Sequence, residues 1–387
     1  MISRYININN DYSYIFLGPR QTGKSTYLES IGNEKTWEIN LLEQRTYLKY
    51  SHNPTLFQKE AHYQIQKKRI DRIWIDEIQK LPFLLDEVQL LIDQTDCKVF
   101  LSGSSARKLK RGSANLLGGR ALMRRLYPFI YQEIESLFNL EETLQYGLLP
   151  SIFQKKIPQK KDLLRAYVET YLKEEIQNEG LVRGLGGFSR FLEVAAQSCA
   201  EPLNYSKIAR DCNYPPKTVQ NYFEILEDTL IGTRLYVWNK SVRKQLSHHP
   251  KFYFFDTGVS NALLHRLHDP LDPSLRGRGF EQWLFHEIRA RIDYDQKDLQ
   301  LYYWRTQAGV EVDLLIARGS QLLAALEFKS HETLNSEHFR GLNTFHEEHP
   351  DIPRYLVFTG NNPYLEEGAQ VIPWELFLTQ ELLKIGK

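Results

Sequence analysis

The sequence predicts an α/β fold in several domains, and three patterns carry that prediction. At Tyr14–Leu17 a short apolar run leads into a glycine-bearing loop and then into helical spacing. Between Leu203 and Trp238 two helical stretches flank a Pro-Pro turn, and β-type runs follow. From Gly277 to Lys329 a helical stretch precedes three strand-like runs. Hydrophobic periodicity and chain-breaking residues are the signals used. They divide the chain into 1–132, 133–200, 201–260 and 261–387.

With 387 residues the chain exceeds one ordinary hydrophobic core. Its 49 Lys+Arg against 48 Asp+Glu leave a formal net charge of +1. The whole chain is therefore no electrostatic trap for nucleic acid, and any such binding has to come from local basic patches. Cys97, Cys199 and Cys212 are scattered, without metal-ligand spacing or a disulfide framework. No run approaches a membrane span and the N-terminus lacks a signal-peptide core. A cytoplasmic protein, with no membrane partner, is the simplest reading.

The first third holds a phosphate-binding pattern. Tyr14-Ile15-Phe16-Leu17 reads as a buried strand, Gly18 to Gly23 as a loop, and Ser25 onward as a helix. Strand, Gly-x4-Gly-Lys-Ser loop and helix together form the context in which backbone N–H groups cradle phosphates at a helix N-terminus. Gly18, Gln21, Thr22, Gly23, Lys24, Ser25 and Thr26 are the expected nucleotide contacts. Lys24 would reach the β- and γ-phosphates and Ser25 would coordinate Mg²⁺. A second strand, Arg72-Ile73-Trp74-Ile75-Asp76-Glu77, ends in two acids. Asp76 suits the metal's water shell and Glu77 the water-positioning or base role. A third run, Lys98-Val99-Phe100-Leu101, leads to Ser102-Gly103-Ser104, and Ser102 or Ser104 is the candidate to feel the γ-phosphate.

The segments GPRQTGKST, RIWIDEIQ, VFLSGSSARKL and LGGRALMRRLYPF resemble, in order, the core motifs of AAA+ ATPases. They are most similar to a bacterial and archaeal group that pairs this P-loop ATPase with a C-terminal domain of unknown function. The resemblance implies ATP and Mg as cofactors. It implies that Arg120 of the Gly119-Arg120 pair acts as a finger on a neighbouring subunit's nucleotide, and hence a homo-oligomer, such as a hexameric ring. Arg124 and Arg125 are rivals for that role. The sensor residue is serine here, where threonine or asparagine is common in AAA+ proteins.

The stretch Ile134–Ala200 has helical spacing and continues the resemblance in GLLPSIF and YVETYLKEEI. It reads as a small helical lid on the nucleotide domain. Next, Ser206–Arg210 and Lys217–Glu227 read as helices around Asn213-Tyr214-Pro215-Pro216. Two helices, then β-type runs, is the pattern of a winged helix, whose second helix can enter the major groove. Lys217, Thr218 and Gln220 stand at that helix's start. Lys240, Arg243 and Lys244 would form a basic wing suited to phosphates. The same pattern also serves as a packing or protein-interaction module, and Glu224, Glu227 and Asp228 speak for that use.

In the last third, a helix bearing Glu281 and Glu287 precedes runs at Leu301–Arg305, Val310–Ala317 and Leu322–Phe328. Asp313 lies among apolar neighbours, and Glu327 and Lys329 share one strand face. A helix acid, a strand Asp and Glu-x-Lys resemble the core of restriction-endonuclease-like nucleases and of archaeal Holliday junction resolvases. The resemblance implies a metal held by Asp313, Glu327 and a helix acid, Glu281 or Glu287, with Lys329 beside the attacking water as a non-ligand. A buried ion pair of Asp313 with Lys329 is the competing reading.

These parts together predict an ATP-hydrolysing protein that binds and remodels DNA, branched DNA such as a Holliday junction in particular, as a ring. The alternative is an ATP-dependent molecular switch in defence or stress signalling, with a protein partner whose identity the sequence leaves open.

Overall fold

A computed structural model describes residues 2–104, 117–172, 185–239 and 249–386. Among the described residues the strands form sheets of five, six and two strands.

The first sheet is parallel, in the order β2 (Thr36–Asn40), β3 (Arg72–Asp76), β4 (Lys98–Gly103), β1 (Ser13–Leu17), β5 (Ala121–Arg125). Parallel strands covered by helices on both faces are buried throughout. The runs SYIFL and RIWID obey this: every residue of β1 and β3 is buried. Helix Lys24–Ile31 starts directly after the loop that follows β1. Because β4 lies between β1 and β3, the β4 tip stands between the loop and Asp76. A parallel α/β sheet places ligands beyond the C-terminal strand ends, and all three tips meet there.

The second sheet has the order β12 (Tyr364–Glu366), β13 (Ala369–Pro373), β11 (Arg354–Phe358), β10 (Gln321–Lys329), β9 (Glu311–Arg318), β8 (Gln300–Arg305). The three expected strand-like runs are β8, β9 and β10, an antiparallel meander, and β11 then joins β10 in parallel. Helix Pro273–Tyr294 precedes the meander, and its Phe280, Leu284 and Ile288 are fully buried.

The helices Tyr205–Cys212 and Pro216–Asp228 form as expected, followed by an antiparallel ribbon of β6 (Gly232–Leu235) and β7 (Lys251–Phe254). Val219, Tyr222, Phe223 and Leu226 make the buried side of the second helix, as their spacing predicts. The physical boundaries differ from those expected. The chain beyond β6 adds to the second sheet: the Trp238 amide donates to the Tyr303 carbonyl at 2.6 Å, and the Tyr303 amide to Tyr236 at 3.0 Å. The stretch expected as a lid shares one hydrophobic core with the rest of the chain: Leu144, Leu164 and Phe191 belong to the same cluster as Phe254, Phe280 and Leu326. One face of the first sheet, with Ile15, Ile75 and Leu101, has a separate core, and the other, with Tyr14, Phe16 and Phe100, packs together with Tyr127, Ala290 and Tyr294. Hydrophobic burial thus joins the helical stretch, the helix–turn–helix and part of the C-terminal sheet in one cluster.

Candidate functional site: the loop, the strand tips and a second acidic cluster

Each turn of the loop has a local cause. A Cβ on Gly18 would lie 2.4 Å from the Leu126 carbonyl oxygen, so only glycine fits there. Gly23 has φ +83°, the left-handed region that glycine enters without strain. Thr22 closes the loop by donating its hydroxyl to the Pro19 carbonyl at 2.9 Å. Lys24 is buried and donates to the Gly18 and Pro19 carbonyls at 2.8 and 2.9 Å. Its ammonium is therefore held inside the loop's curve, where phosphate oxygens would come.

Across from the loop, the Ser25 hydroxyl donates to Asp76 Oδ2 at 2.9 Å. Asp76 Oδ1 accepts from the Ser102 hydroxyl and, at 3.1 Å, from the Glu77 amide. One buried carboxylate thereby ties together the loop, β3 and β4. Glu77 takes a left-handed backbone, φ 57°, which turns its side chain out of the strand line. Burial raises the Glu77 pKa above the usual carboxylate value, while the nearby Lys24 opposes that rise. Gln79 donates its amide to Glu77 Oε2 and, at 3.0 Å, to the Ser104 hydroxyl. Of the two sensor candidates, Ser102 touches Asp76 directly and Ser104 reaches Glu77 through Gln79.

These groups border a cavity of about 980 Å³. Its walls include Gln21, Gly23, Lys24, Ser25, Thr26 and Glu77, with Ile6, Ile8, Tyr27 and Phe129 as the apolar share. Convergent polar groups beside an apolar wall are what a nucleotide requires. The residues present fit Mg–ATP: a glycine cradle with a buried lysine for phosphate, and a hydroxyl–carboxylate oxygen pair for the metal.

Two further residues were not legible in the sequence. Arg4, buried, donates to Glu133 Oε1 at 2.9 Å, to the Thr22 carbonyl at 2.7 Å and to the Tyr127 carbonyl at 2.7 Å. It also reaches the Tyr294 hydroxyl at 3.1 Å, at the end of helix Pro273–Tyr294. Arg4 thus connects the phosphate loop to the C-terminal body. On the opposite side the Ser151 hydroxyl donates to Gln21 Oε1 at 2.7 Å.

The arginines divide by environment. Arg120 Nε pairs with Asp93 Oδ1 at 2.6 Å in an exposed position. Arg124 lies 5.5 Å over the Tyr14 ring, and Arg125 is 3.6 Å from Asp293. None of them touches the loop of its own chain through a hydrogen bond described here.

On helix Pro216–Asp228, Lys217 is exposed and Thr218 and Gln220 are partly exposed, all in the first turn and a half. Lys240, Arg243 and Lys244 lie outside the described residues.

The second acidic cluster departs from expectation. Asp313 and Glu327 do come to adjacent strands, and Glu281 faces them. The Lys329 ammonium pairs with Glu327 Oε1 at 2.7 Å, not with Asp313 as its first partner. Asp313 Oδ2 accepts the Phe328 amide at 2.9 Å. Between the acids stands Lys251, which sequence reading missed: its Nζ is 3.0 Å from Glu281, 3.3 Å from Glu311 and 3.7 Å from Asp313. Among the described residues no group of three or more His, Cys, Asp or Glu could hold a metal ion. A divalent ion needs carboxylate oxygens converging at about 2.0–2.6 Å on the point it occupies. An ammonium fills that role here, so the expected metal set of Glu281, Asp313 and Glu327 does not fit.

Three family models match successive parts of the chain. Residues 10–135 match a family model described as AAA domain. Residues 137–269 match a domain of unknown function (DUF8612), which spans the boundary expected at 200, and residues 276–377 match another (DUF4143). The first third of the chain is thus similar to AAA-type P-loop domains, which suggests an ATPase, and it precedes a C-terminal region similar to a domain of unknown function. An uncharacterized protein of Mycobacterium tuberculosis is 24% identical over 311 residues, covering 78% of this chain and 67% of that protein. One from Haemophilus influenzae is 21% identical over 277 residues, covering 65% and 69%. One from Methanocaldococcus jannaschii is 22% identical over 292 residues, covering 69% and 63%. No helix among the described residues is long and apolar enough to cross a membrane.

Proposed function

We propose that this chain is a Mg-dependent ATPase that engages DNA as a ring oligomer, and that nucleotide state is passed from the loop to the C-terminal body. The observation that carries the ATPase reading is the Ser25–Asp76 pair at 2.9 Å, set beside buried Lys24. Bound Mg–ATP supplies the phosphoanhydride and the metal charge. Lys24 holds the β- and γ-phosphate charge, and Ser25 and Asp76 offer the metal its oxygens. Glu77 orients the attacking water and takes its proton. Ser102, on the same Asp76, ties the β4 tip to the metal side of the site. Arg120, whose partner Asp93 is exposed, is free to exchange that pair for a neighbouring subunit's phosphate.

Support for DNA comes from Lys217, Thr218 and Gln220, presented by the first turns of the second helix of a helix–turn–helix with a ribbon behind it. We read this as a winged-helix arrangement. Hydrolysis measured without DNA and with duplex, single strand and a four-way junction, at two salt concentrations, tests it. A several-fold stimulation by one form, lost at high salt, is the expected result. Equal rates with every DNA would leave the second reading, a switch that acts on a protein partner. One observation favours that second reading: Arg4 joins the Thr22 carbonyl to Tyr294, so a change at the loop is felt in the C-terminal body without nucleic acid.

A further inference from the structure

Glu281, Glu311, Asp313 and Glu327 reach one small, mostly buried volume from a helix and two strands. Carboxylates gathered away from water repel one another and lose hydration, so the cluster requires a positive charge within it. Either a divalent ion or a protein ammonium can provide that charge. We propose that Lys251 is the permanent internal cation of this cluster, standing where a divalent ion would otherwise be held, so that the C-terminal domain is a metal-free and non-cleaving body. This inference concerns the C-terminal body alone and does not rest on the nucleotide reading.

Three observations carry it. The Lys251 ammonium lies within 4 Å of three of the carboxylates: 3.0 Å from Glu281, 3.3 Å from Glu311 and 3.7 Å from Asp313. Only 2% of the Lys251 side chain is exposed, and its strand is buried along its whole length, so the ammonium has no open route to solvent. The same face of β7 repeats the contact: Tyr253, two residues on, donates its hydroxyl to Glu281 Oε1 at 2.7 Å. Of the remaining carboxylates, Glu311 pairs also with Arg305, and Glu327 pairs through Oε1 with Lys329 while its Oε2 is buried without a hydrogen bond.

The chemical consequence follows from the cation's nature. A metal ion lowers the pKa of bound water and polarises a phosphoryl oxygen; an ammonium only donates hydrogen bonds. The cluster accordingly has no means to make a hydroxide nucleophile. What it does is fasten β7, and with it the helix–turn–helix, to the sheet that carries Asp313 and Glu327.

The test is Mn²⁺ binding to the full chain without nucleotide, read by electron paramagnetic resonance. Wild type, Glu327→Gln, Asp313→Asn, Lys251→Met and the Lys251→Met/Glu327→Gln double variant are compared. Wild type, Glu327→Gln and Asp313→Asn should bind the same number of ions. Lys251→Met should gain one Mn²⁺ per chain, its thermal midpoint should rise on adding Mn²⁺, and the double variant should lose that gain. A Mn²⁺ in the wild type that Glu327→Gln or Asp313→Asn removes would overturn the proposal, as would a folded Lys251→Met with no added ion. If Lys251→Met does not fold, the comparison of the wild type with the two carboxylate variants still decides.

Discussion

Asp76 is the residue on which the nucleotide site turns. It accepts from Ser25, from Ser102 and from the Glu77 amide, so three chain segments are fixed by one buried carboxylate. Lys24→Ala should abolish ATP hydrolysis, and unchanged hydrolysis would contradict the phosphate-loop assignment. Gln79 is a positioning residue, because it touches Glu77 and Ser104 but not the cavity that would hold ATP. Gln79→Leu should lower kcat by roughly tenfold, a modest share of the effect expected for a base itself. It should leave the KM for ATP nearly unchanged; a raised KM with kcat intact would place Gln79 in binding instead. Legibility at this scale followed sequence distance. Gly18 to Thr26 and Asp76-Glu77 were readable because the chemistry needs those residues as neighbours. Arg4 and Lys251 were not, because each acts on partners far along the chain, and a lone arginine or lysine carries no spacing signal.

Among the elements, helix Pro273–Tyr294 does the most. Its end holds Tyr294 against Arg4, its middle offers Glu287 to the Tyr131 amide, and its start carries Glu281 to Lys251. Arg4→Met should leave the buried Glu133 without its ion-pair partner and cost about 3–5 kcal/mol, as other broken buried pairs do. Urea unfolding would check this, and a loss under about 1 kcal/mol would mean Arg4 is not a structural tie. Glu287 gives the helix a pH response. Burial pushes its carboxyl up to about 8 from an ordinary 4.5, against the bonds it accepts from Tyr131 and Trp283. The folded state therefore keeps a proton that the unfolded chain releases. Its contribution is complete below about pH 4.5 and is lost as pH rises through about 8. Between those values stability should fall by up to roughly 1.4 kcal/mol per pH unit from this group. Glu287→Gln should flatten that slope in urea titrations at pH 5, 6.5 and 8, and an unaltered slope would assign it elsewhere. The strands β8, β9 and β10 were legible from alternation and apolar runs. The pairing of the chain around Val237 with Tyr303 was not, since a short bridge of that kind has no periodicity of its own.

At the scale of the molecule, the first sheet packs one face on its own helices and the other, through Tyr14, Phe16 and Phe100, on Tyr127, Ala290 and Tyr294, while a large cluster joins the helical stretch to one side of the C-terminal sheet. Composition and length pointed to several domains. They could not show that burial would merge the helical stretch, the helix–turn–helix and the C-terminal sheet, because apolar residues in a sequence do not name their partners. If Arg120 acts between subunits, Arg120→Ala should reduce hydrolysis by roughly 10³-fold or more while its thermal midpoint stays within a degree or two, since its pair with Asp93 is exposed. A variant with full activity would exclude Arg120 and with it the main support for a ring. In the proposed mechanism Glu77 performs chemistry at a site where the loop and Asp76 bind. The most direct measurement is ATP binding and single-turnover hydrolysis by Glu77→Gln beside the wild type. ATP affinity should stay within a few-fold of wild type and hydrolysis should be slower by about 10²–10⁴. Hydrolysis at the wild-type rate, or binding lost together with hydrolysis, would contradict it.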